Sequence, residues 1–320
     1  MNKLLDRYQK MRFELRLKDR FEALILIVVG GFVRLFPISI VHRFASFLGF
    51  MAYHLFPFRK EVAFANLRIC LPEKTGEEIE QIIKGSYINF ATVLLEFLYF
   101  PKFNQRRLKN LVEISEGALK MMNKALEKGR GLILMSGHFS NWELNALAVG
   151  NALAKKPMVI VHPFHNRFVD KIVNRYRSLL GNVTVPMDAS VRAALSTLRG
   201  NGVLALLADQ SASRESAVSN FFGLEVPTYQ GPATFALRTG AVLQMGFLVR
   251  ESDGRYKFEL HEIDYSDLKG TDEEKAVALT QRHVTLLEDY IRRYPDLWLW
   301  FHRRFKHLRS FQETFSAIRH

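Results

Sequence analysis

GLILMSGHFSNWE (131–143) passes from a short apolar run, through Gly137 and His138, into a helix-start signature. A strand that ends in a polar cluster and then a helix is one βα step of an α/β sheet, and in open sheets of that kind ligands sit at the carboxyl ends of the strands. Gly137 permits close backbone approach at the strand exit. Ser140-Asn141-Trp142-Glu143 fits a capping box, with Ser140 as cap and Glu143 reaching back to a free amide.

The pattern recurs downstream. Short apolar runs stand at PMVIVH (157–162), NVTVPM (182–187), VLALLA (203–208) and AVLQMGFLV (241–249). Helical patterns fill 144–154, 167–180, 189–200, 231–239 and 272–293, and YKFELHEIDY (256–265) alternates like a strand with one wet face. The alternation predicts an α/β fold, a mixed and mostly parallel sheet flanked by helices. Upstream, 61–125 reads as helical, LPEKTGEEIEQIIKGSYINFATVLLEFLYF showing a Pro-started, Glu-rich first turn and then a 3.6-period apolar face. There are no repeats, low-complexity tracts or linkers. The chain therefore divides into a basic and apolar segment (1–58), a helical part of the catalytic domain (59–125), an α/β core (126–310) and a tail (311–320).

Composition narrows the partners. Lys+Arg number 45 against 32 Asp+Glu, a net charge of +13, which favours nucleic acid, a membrane surface or an acidic protein or phosphorylated substrate. The single cysteine, Cys70, excludes an intramolecular disulfide framework and a Cys-based zinc site, and reads as a buried structural thiol. Residues 1–20 carry seven basic and three acidic side chains, with Leu4, Tyr8, Met11 and Leu15 on one helical stripe. EALILIVVGGFVRLFPISIV (22–41) is apolar except for Glu22 and Arg34, and FASFLGFMAYHLFPF (44–58) continues it. Arg34 and Pro37 interrupt any clean spanning helix. Residues 1–58 are expected to attach to a membrane as a marginal span or an inserted interfacial hairpin, the basic flank staying in the cytoplasm. Two buried helices of a soluble fold are the alternative. No RNP-like strand, helix-turn-helix or zinc finger supports nucleic-acid binding.

For the cluster at 137–143 two readings stay open. Glu143 closes a capping box, or it meets His138, fixes the imidazole tautomer and leaves the other ring nitrogen to take a proton from a hydroxyl. The helix N-terminus offers amides to a developing oxyanion. His162 and His165 lack a similarly placed carboxylate. A metal held by His138, His162, His165 and Asp209 would follow no known ligand spacing, so no metal is expected.

GHFSNWE with His138 and Glu143, VHPFHNRFVD (161–170), NRYRSLLGN (174–182) with Arg175, Arg177 and Ser178, LADQ (207–210), FFGLEVPTYQGPATFALRTGA (221–241) and YPDLWLWFHRRFK (294–306) occur in consistent order. Together they resemble the bacterial lipid A biosynthesis acyltransferases, the lauroyl/myristoyl transferase family, related to the glycerolipid acyltransferases and their His-x4-acidic motif. Ser211 follows Gln210 where the family often has Asp. The resemblance implies a glycerolipid-acyltransferase-like fold at the inner membrane, with its active site facing the cytoplasm. It implies transfer of a fatty acyl chain from an acyl carrier protein or CoA thioester to a hydroxyl of a phosphorylated glycolipid, a lipid A precursor. His138 would be the general base and Glu143 its orienter. Arg175, Arg177, Asp209, Asn166 and Gln210 would bind substrate, Asp209 holding an arginine or the sugar. No cofactor is expected, since the thioester is a co-substrate, and no G-x-S-x-G elbow surrounds Ser136, so transfer is expected to be direct. In the C-terminal run, the tryptophans at 298 and 300 read as core, with the basic residues after them presented to lipid headgroups. The acceptor could instead be a phosphatidylinositol mannoside, an aryl polyene-type lipid or a lysophospholipid. A basic membrane-binding protein without activity is the reading from another class.

Overall fold

The computed structural model describes residues 2–319, with side chains for 17–318. Helices α1 (Asn2–Val33) and α2 (Ile38–Leu55) open the chain and are separated at Pro37, where the fixed φ starts the second helix. Next come α3 (Lys60–Cys70) and α4 (Gly76–Tyr99), the latter begun by a complete capping box of Thr75 and Glu78. After α5 (Gln105–Leu111), β1 (Val112–Ile114) and α6 (Glu116–Glu127), strands and helices alternate. The order is β2 (Leu132–Ser136), α7 (Trp142–Ala152), β3 (Met158–Val161), α8 (Arg167–Arg177), β4 (Val183–Pro186), α9 (Ser190–Arg199) and β5 (Val203–Leu207). A hairpin, β6 (Val218–Phe221) and β7 (Leu224–Pro227), precedes α10 (Gly231–Thr239). The chain closes with β8 (Val242–Arg250), β9 (Tyr256–Glu262), α11 (Asp272–Arg293) and α12 (Arg309–Arg319).

Seven strands form one sheet in the order β1-β9-β8-β2-β5-β3-β4, parallel at every pairing except β8 with β9. The mixed, mostly parallel sheet expected from the alternation is therefore present. Ile133 and Met135 of β2 pack into one apolar core, while Leu132 and Leu134 pack into the other. Burial on both faces explains why this strand is apolar throughout. Three elements depart from the expectations. β1 is too short to announce itself, the β6–β7 hairpin sits in a sheet of its own, and the expected tail is the helix α12, whose Phe311 is buried in the core.

Among the described residues no helix is long and apolar enough to cross a membrane, so the spanning form expected for 1–58 is not built. The stripe of Leu4, Tyr8, Met11 and Leu15 lies outside the residues whose side chains are described. Arg34 finds acceptors within the protein: its guanidinium donates to the Leu98 carbonyl and the Tyr176 hydroxyl, both at 3.0 Å. Phe21 and Val28 of α1, Phe44 and Phe47 of α2, and Leu35 and Phe56 just past each helix are exposed. Cys70 is buried, and burial pushes its thiol well above the ordinary range.

Candidate active site

β2 and β5 are parallel neighbours with Ser136 opposite Leu207. Two residues past that pair on either strand stand His138 and Asp209, so the register itself brings them together. His138 Nδ1 lies 2.7 Å from Asp209 Oδ1, and the His138 amide donates to Oδ2 at 2.7 Å. Trp298 Nε1 donates to the same Oδ2 at 2.9 Å. Burial alone would raise the Asp209 carboxyl, but the facing imidazole and these three donors outweigh it and bring the group down to about 2. An ionised Asp209 fixes the proton on Nδ1 and leaves Nε2 as an acceptor; the Gln210 amide nitrogen stands 3.1 Å from it. A Cβ on Gly137 would come 2.9 Å from Leu287 Cδ1 and 3.2 Å from Asp209 Oδ2, which is why the strand exit is glycine.

Glu143 occupies neither of the positions expected for it. Asn141, not Ser140, is the N-cap of α7, its Oδ1 accepting from the Leu144 amide at 2.9 Å. Ser140 sits at φ 49°, outside the helix, and its amide donates to the Leu297 carbonyl at 2.6 Å. The carboxylate one position into α7 is gripped by Arg177 of α8, whose Nε donates to Oε2 at 2.9 Å and Nη2 to Oε1 at 2.5 Å. The pairing of His138 with Glu143 is thus replaced by two others, His138 with Asp209 and Glu143 with Arg177. A spacing of five along one segment does not close on itself when a fork from another helix reaches the carboxylate first.

The remaining predicted residues separate. Asp209 holds the imidazole rather than an arginine or a sugar. Arg175 is exposed and makes no hydrogen bond or ion pair among the described residues, because two helical positions from Arg177 it faces elsewhere. Asn166 caps α8 through Oδ1, and its amide donates to the Asp19 carbonyl and Glu22 of α1, so its polar atoms are engaged in structure. His162 and His165 are exposed, and neither makes a hydrogen bond to the dyad among the described residues. Arg304, expected among the lipid-facing residues, is buried and donates to the Pro227 carbonyl and Thr228 Oγ1, each at 2.7 Å. The residue missed by sequence reading is Trp298. Its core position was legible, but that its indole N–H would end on Asp209 was not. Beside the dyad, the Trp142 ring packs against His138 at 5.1 Å between centroids.

A base poised between strand tips, braced by a buried carboxylate and reached at its other nitrogen by the Gln210 amide, is suited to deprotonating a hydroxyl that displaces that amide. Comparison with known proteins gives the chain its class. It matches the profile of the bacterial lipid A biosynthesis acyltransferases over residues 9–307 and belongs to that family. It is 26% identical over 274 residues to the lipid A biosynthesis palmitoleoyltransferase of Escherichia coli K12, covering 84% of this chain and 86% of that one. Identity to the lipid A biosynthesis lauroyltransferase of the same strain is 22% over 272 residues, with 84% and 86% covered. A phosphatidylinositol mannoside acyltransferase of Mycobacterium tuberculosis H37Rv is 28% identical over 172 residues, 51% of this chain and 53% of that one. The protein is an acyltransferase of this family.

Proposed function

We propose that the enzyme transfers a fatty acyl chain from an acyl thioester, borne by acyl carrier protein or coenzyme A, to a hydroxyl of a lipid A precursor at the cytoplasmic face of the inner membrane. The observation that carries this reading is the Asp209–His138 pair, its imidazole partly exposed and its Nε2 within reach of the Gln210 amide. An acceptor hydroxyl takes the place of the Gln210 amide at Nε2 and gives up its proton as its oxygen attacks the thioester carbonyl. Asp209 stabilises the imidazolium that forms. Collapse of the tetrahedral intermediate breaks the C–S bond, and the departing thiolate takes the proton back from His138, leaving an ester and a free thiol. The amides of Trp142 and Glu143 at the start of α7, which find no acceptor among the described residues, are the donors assigned to the oxyanion. Arg177 spends Nε and Nη2 on Glu143; its Nη1, which makes no hydrogen bond among the described residues, is assigned to an acceptor phosphate. No G-x-S-x-G elbow surrounds Ser136, whose Oγ accepts from the Asn145 amide, and Cys70 is buried, which supports direct transfer.

Membrane attachment rests on the exposed apolar faces of α1 and α2, which suit interfacial insertion. The test is an assay with membranes of a deletion strain as acceptor and labelled acyl thioesters of both kinds as donors, run with wild type and His138→Ala. Transfer by wild type and its loss in the variant supports the reading; equal rates overturn it. Lipid mass spectrometry of the deletion strain tests the acceptor. An unchanged lipid A acylation pattern would move the proposal to a mannoside-type acceptor, the reading that the mycobacterial similarity favours.

A further inference from the structure

Glu96 is completely buried in α4, yet it is a carboxylate. Three donors converge on it, from α2, from the loop before α7 and from β9. His42 Nε2 of α2 lies 2.5 Å from Oε1. The Asn141 amide donates to Oε2 at 2.5 Å, and the Tyr256 hydroxyl of β9 donates to the same oxygen at 2.9 Å. Taking a carboxyl group out of water costs several kcal/mol, and replacing a buried polar cluster as a whole by well-packed apolar side chains is commonly neutral or stabilising. Fold stability therefore does not explain why this position is acidic. What distinguishes a carboxylate from methionine or leucine here is that it fixes the direction of its donors.

The donor that matters is Asn141. Its Oδ1 caps α7 and its Nδ2 is anchored on Glu96, so the side chain cannot rotate without breaking one bond or the other. The neighbouring residues of the loop are pinned from the opposite side: the His138 carbonyl accepts from the Leu299 amide at 3.0 Å, and Phe139 bridges to Trp298. Asn89, two turns before Glu96 on the same face of α4, donates to the Leu297 carbonyl at 3.2 Å and to the Ser140 carbonyl at 3.5 Å. The segment that carries His138, Trp142 and Glu143 is thus clamped between 297–299 and α4, and Glu96 is the point of that clamp on which the Asn141 amide is fixed.

We propose that Glu96 is a positioning residue for acyl transfer: through Asn141 it sets the start of α7, and with it the oxyanion amides and the Trp142 ring against which His138 rests. The proposal rests on the His138-centred reading given above. Glu96 touches no reacting atom and acts on kcat through alignment, where a misplacement on the order of 1 Å costs about 100-fold.

A donor–acceptor swap tests it. Glu96→Gln keeps the shape but turns one oxygen into a donor aimed at the Asn141 amide. Asn141→Asp still accepts from the Leu144 amide, so it keeps the cap while setting a carboxylate against Glu96. In the double variant the amide introduced at position 96 donates to the carboxylate introduced at position 141, and the Tyr256 hydroxyl rotates to accept. With deletion-strain membranes and labelled acyl thioesters, the expected result is a kcat loss of roughly 10- to 100-fold for each single variant, with donor KM changed less than about twofold. The double variant should recover to within about fivefold of wild type. Glu96→Met strands the buried His42, Asn141 and Tyr256 donors, so it should melt below wild type and show a kcat loss at least as large as that of Glu96→Gln. Wild-type kcat in both Glu96 variants, or a double variant no better than its worse parent, overturns the proposal. So does a loss that follows a lowered melting temperature and is not recovered by the swap. His138→Ala is the control for the underlying reading: if it transfers acyl groups at the wild-type rate, that reading fails, whereas an inactive His138→Ala beside a fully active Glu96→Gln sinks the Glu96 proposal alone.

Discussion

Asp209 has three jobs at one strand tip: it takes the Nδ1 proton bond, receives the His138 amide, and ends the Trp298 indole bond. Replacing it with Asn keeps the shape but turns a hydrogen-bond donor toward an imidazole that needs an acceptor, so the wrong tautomer is favoured. Asp209→Asn is expected to lower kcat by about 1,000-fold or more, measured by transfer of a labelled acyl chain, with the fold intact by circular dichroism. Glu143→Gln should behave differently. It leaves the dyad untouched and converts a bidentate ion pair, partly shielded from water, into a single hydrogen bond from the Arg177 guanidinium to a neutral amide oxygen, so the expected loss is about 10- to 100-fold and falls at least partly on KM for a phosphorylated acceptor. A loss in Glu143→Gln as deep as in Asp209→Asn would show that the carboxylate on α7, not the one after β5, supports the base. Of this site the motif GHFSNWE disclosed His138 and its place at a strand end. Its partner was hidden because Asp209 lies 71 residues away and becomes adjacent only when β5 docks beside β2 in register.

At the scale of elements, α1 and α2 each present two chemistries. Inward, Val41, Ala45 and Gly49 of α2 pack so closely on α4 that a Cβ at Gly49 would stand 2.5 Å from Ile88 Cα. Outward, Phe44 and Phe47 are exposed. Such a helix, apolar on its solvent side, is stable in water only at the cost of that exposed surface, and an interface with lipid relieves it. Replacing Phe44 and Phe47 together with Ser is expected to weaken binding to vesicles of mixed zwitterionic and anionic lipid by about 10-fold or more in a sedimentation assay, at about 1.5 kcal/mol or more per fully inserted ring, with the melting temperature in detergent unchanged. Unaltered vesicle binding would place membrane contact elsewhere. The apolar character of 22–58 was plain in the sequence. Its form was not, because Arg34 reads as an interruption until Leu98 and Tyr176 are seen to receive it.

For the molecule as a whole, buried histidines tie stability to pH. His283 of α11 is 2% exposed, and burial, with the Arg304 charge adding to it, lowers its pKa to about 4. A histidine whose folded pKa lies below its unfolded value near 6.5 stabilises the fold fully above 6.5, and that contribution is lost as pH falls from 6.5 toward 4, because the unfolded chain takes the proton first. Asp209, held near 2, works the same way lower down: its contribution is present above about 4 and disappears as pH falls through 2. Urea unfolding is therefore expected to lose on the order of 3 kcal/mol from His283 between pH 7 and 4. His283→Gln should flatten that part of the curve, and an equally steep curve in the variant would assign the dependence to other groups.

What the sequence determined by itself is local. Hydrophobic period and turn chemistry act over a few residues, so they specified the βα alternation, the helix 272–293 at its observed limits, and a histidine left at a strand tip. Pairings between distant segments belong to the tertiary structure. Which carboxylate braces His138, which arginine grips Glu143, and why Glu96 is acidic all follow from strand order and helix docking, since a hydrogen bond depends on a separation of about 3 Å that no spacing along the chain encodes.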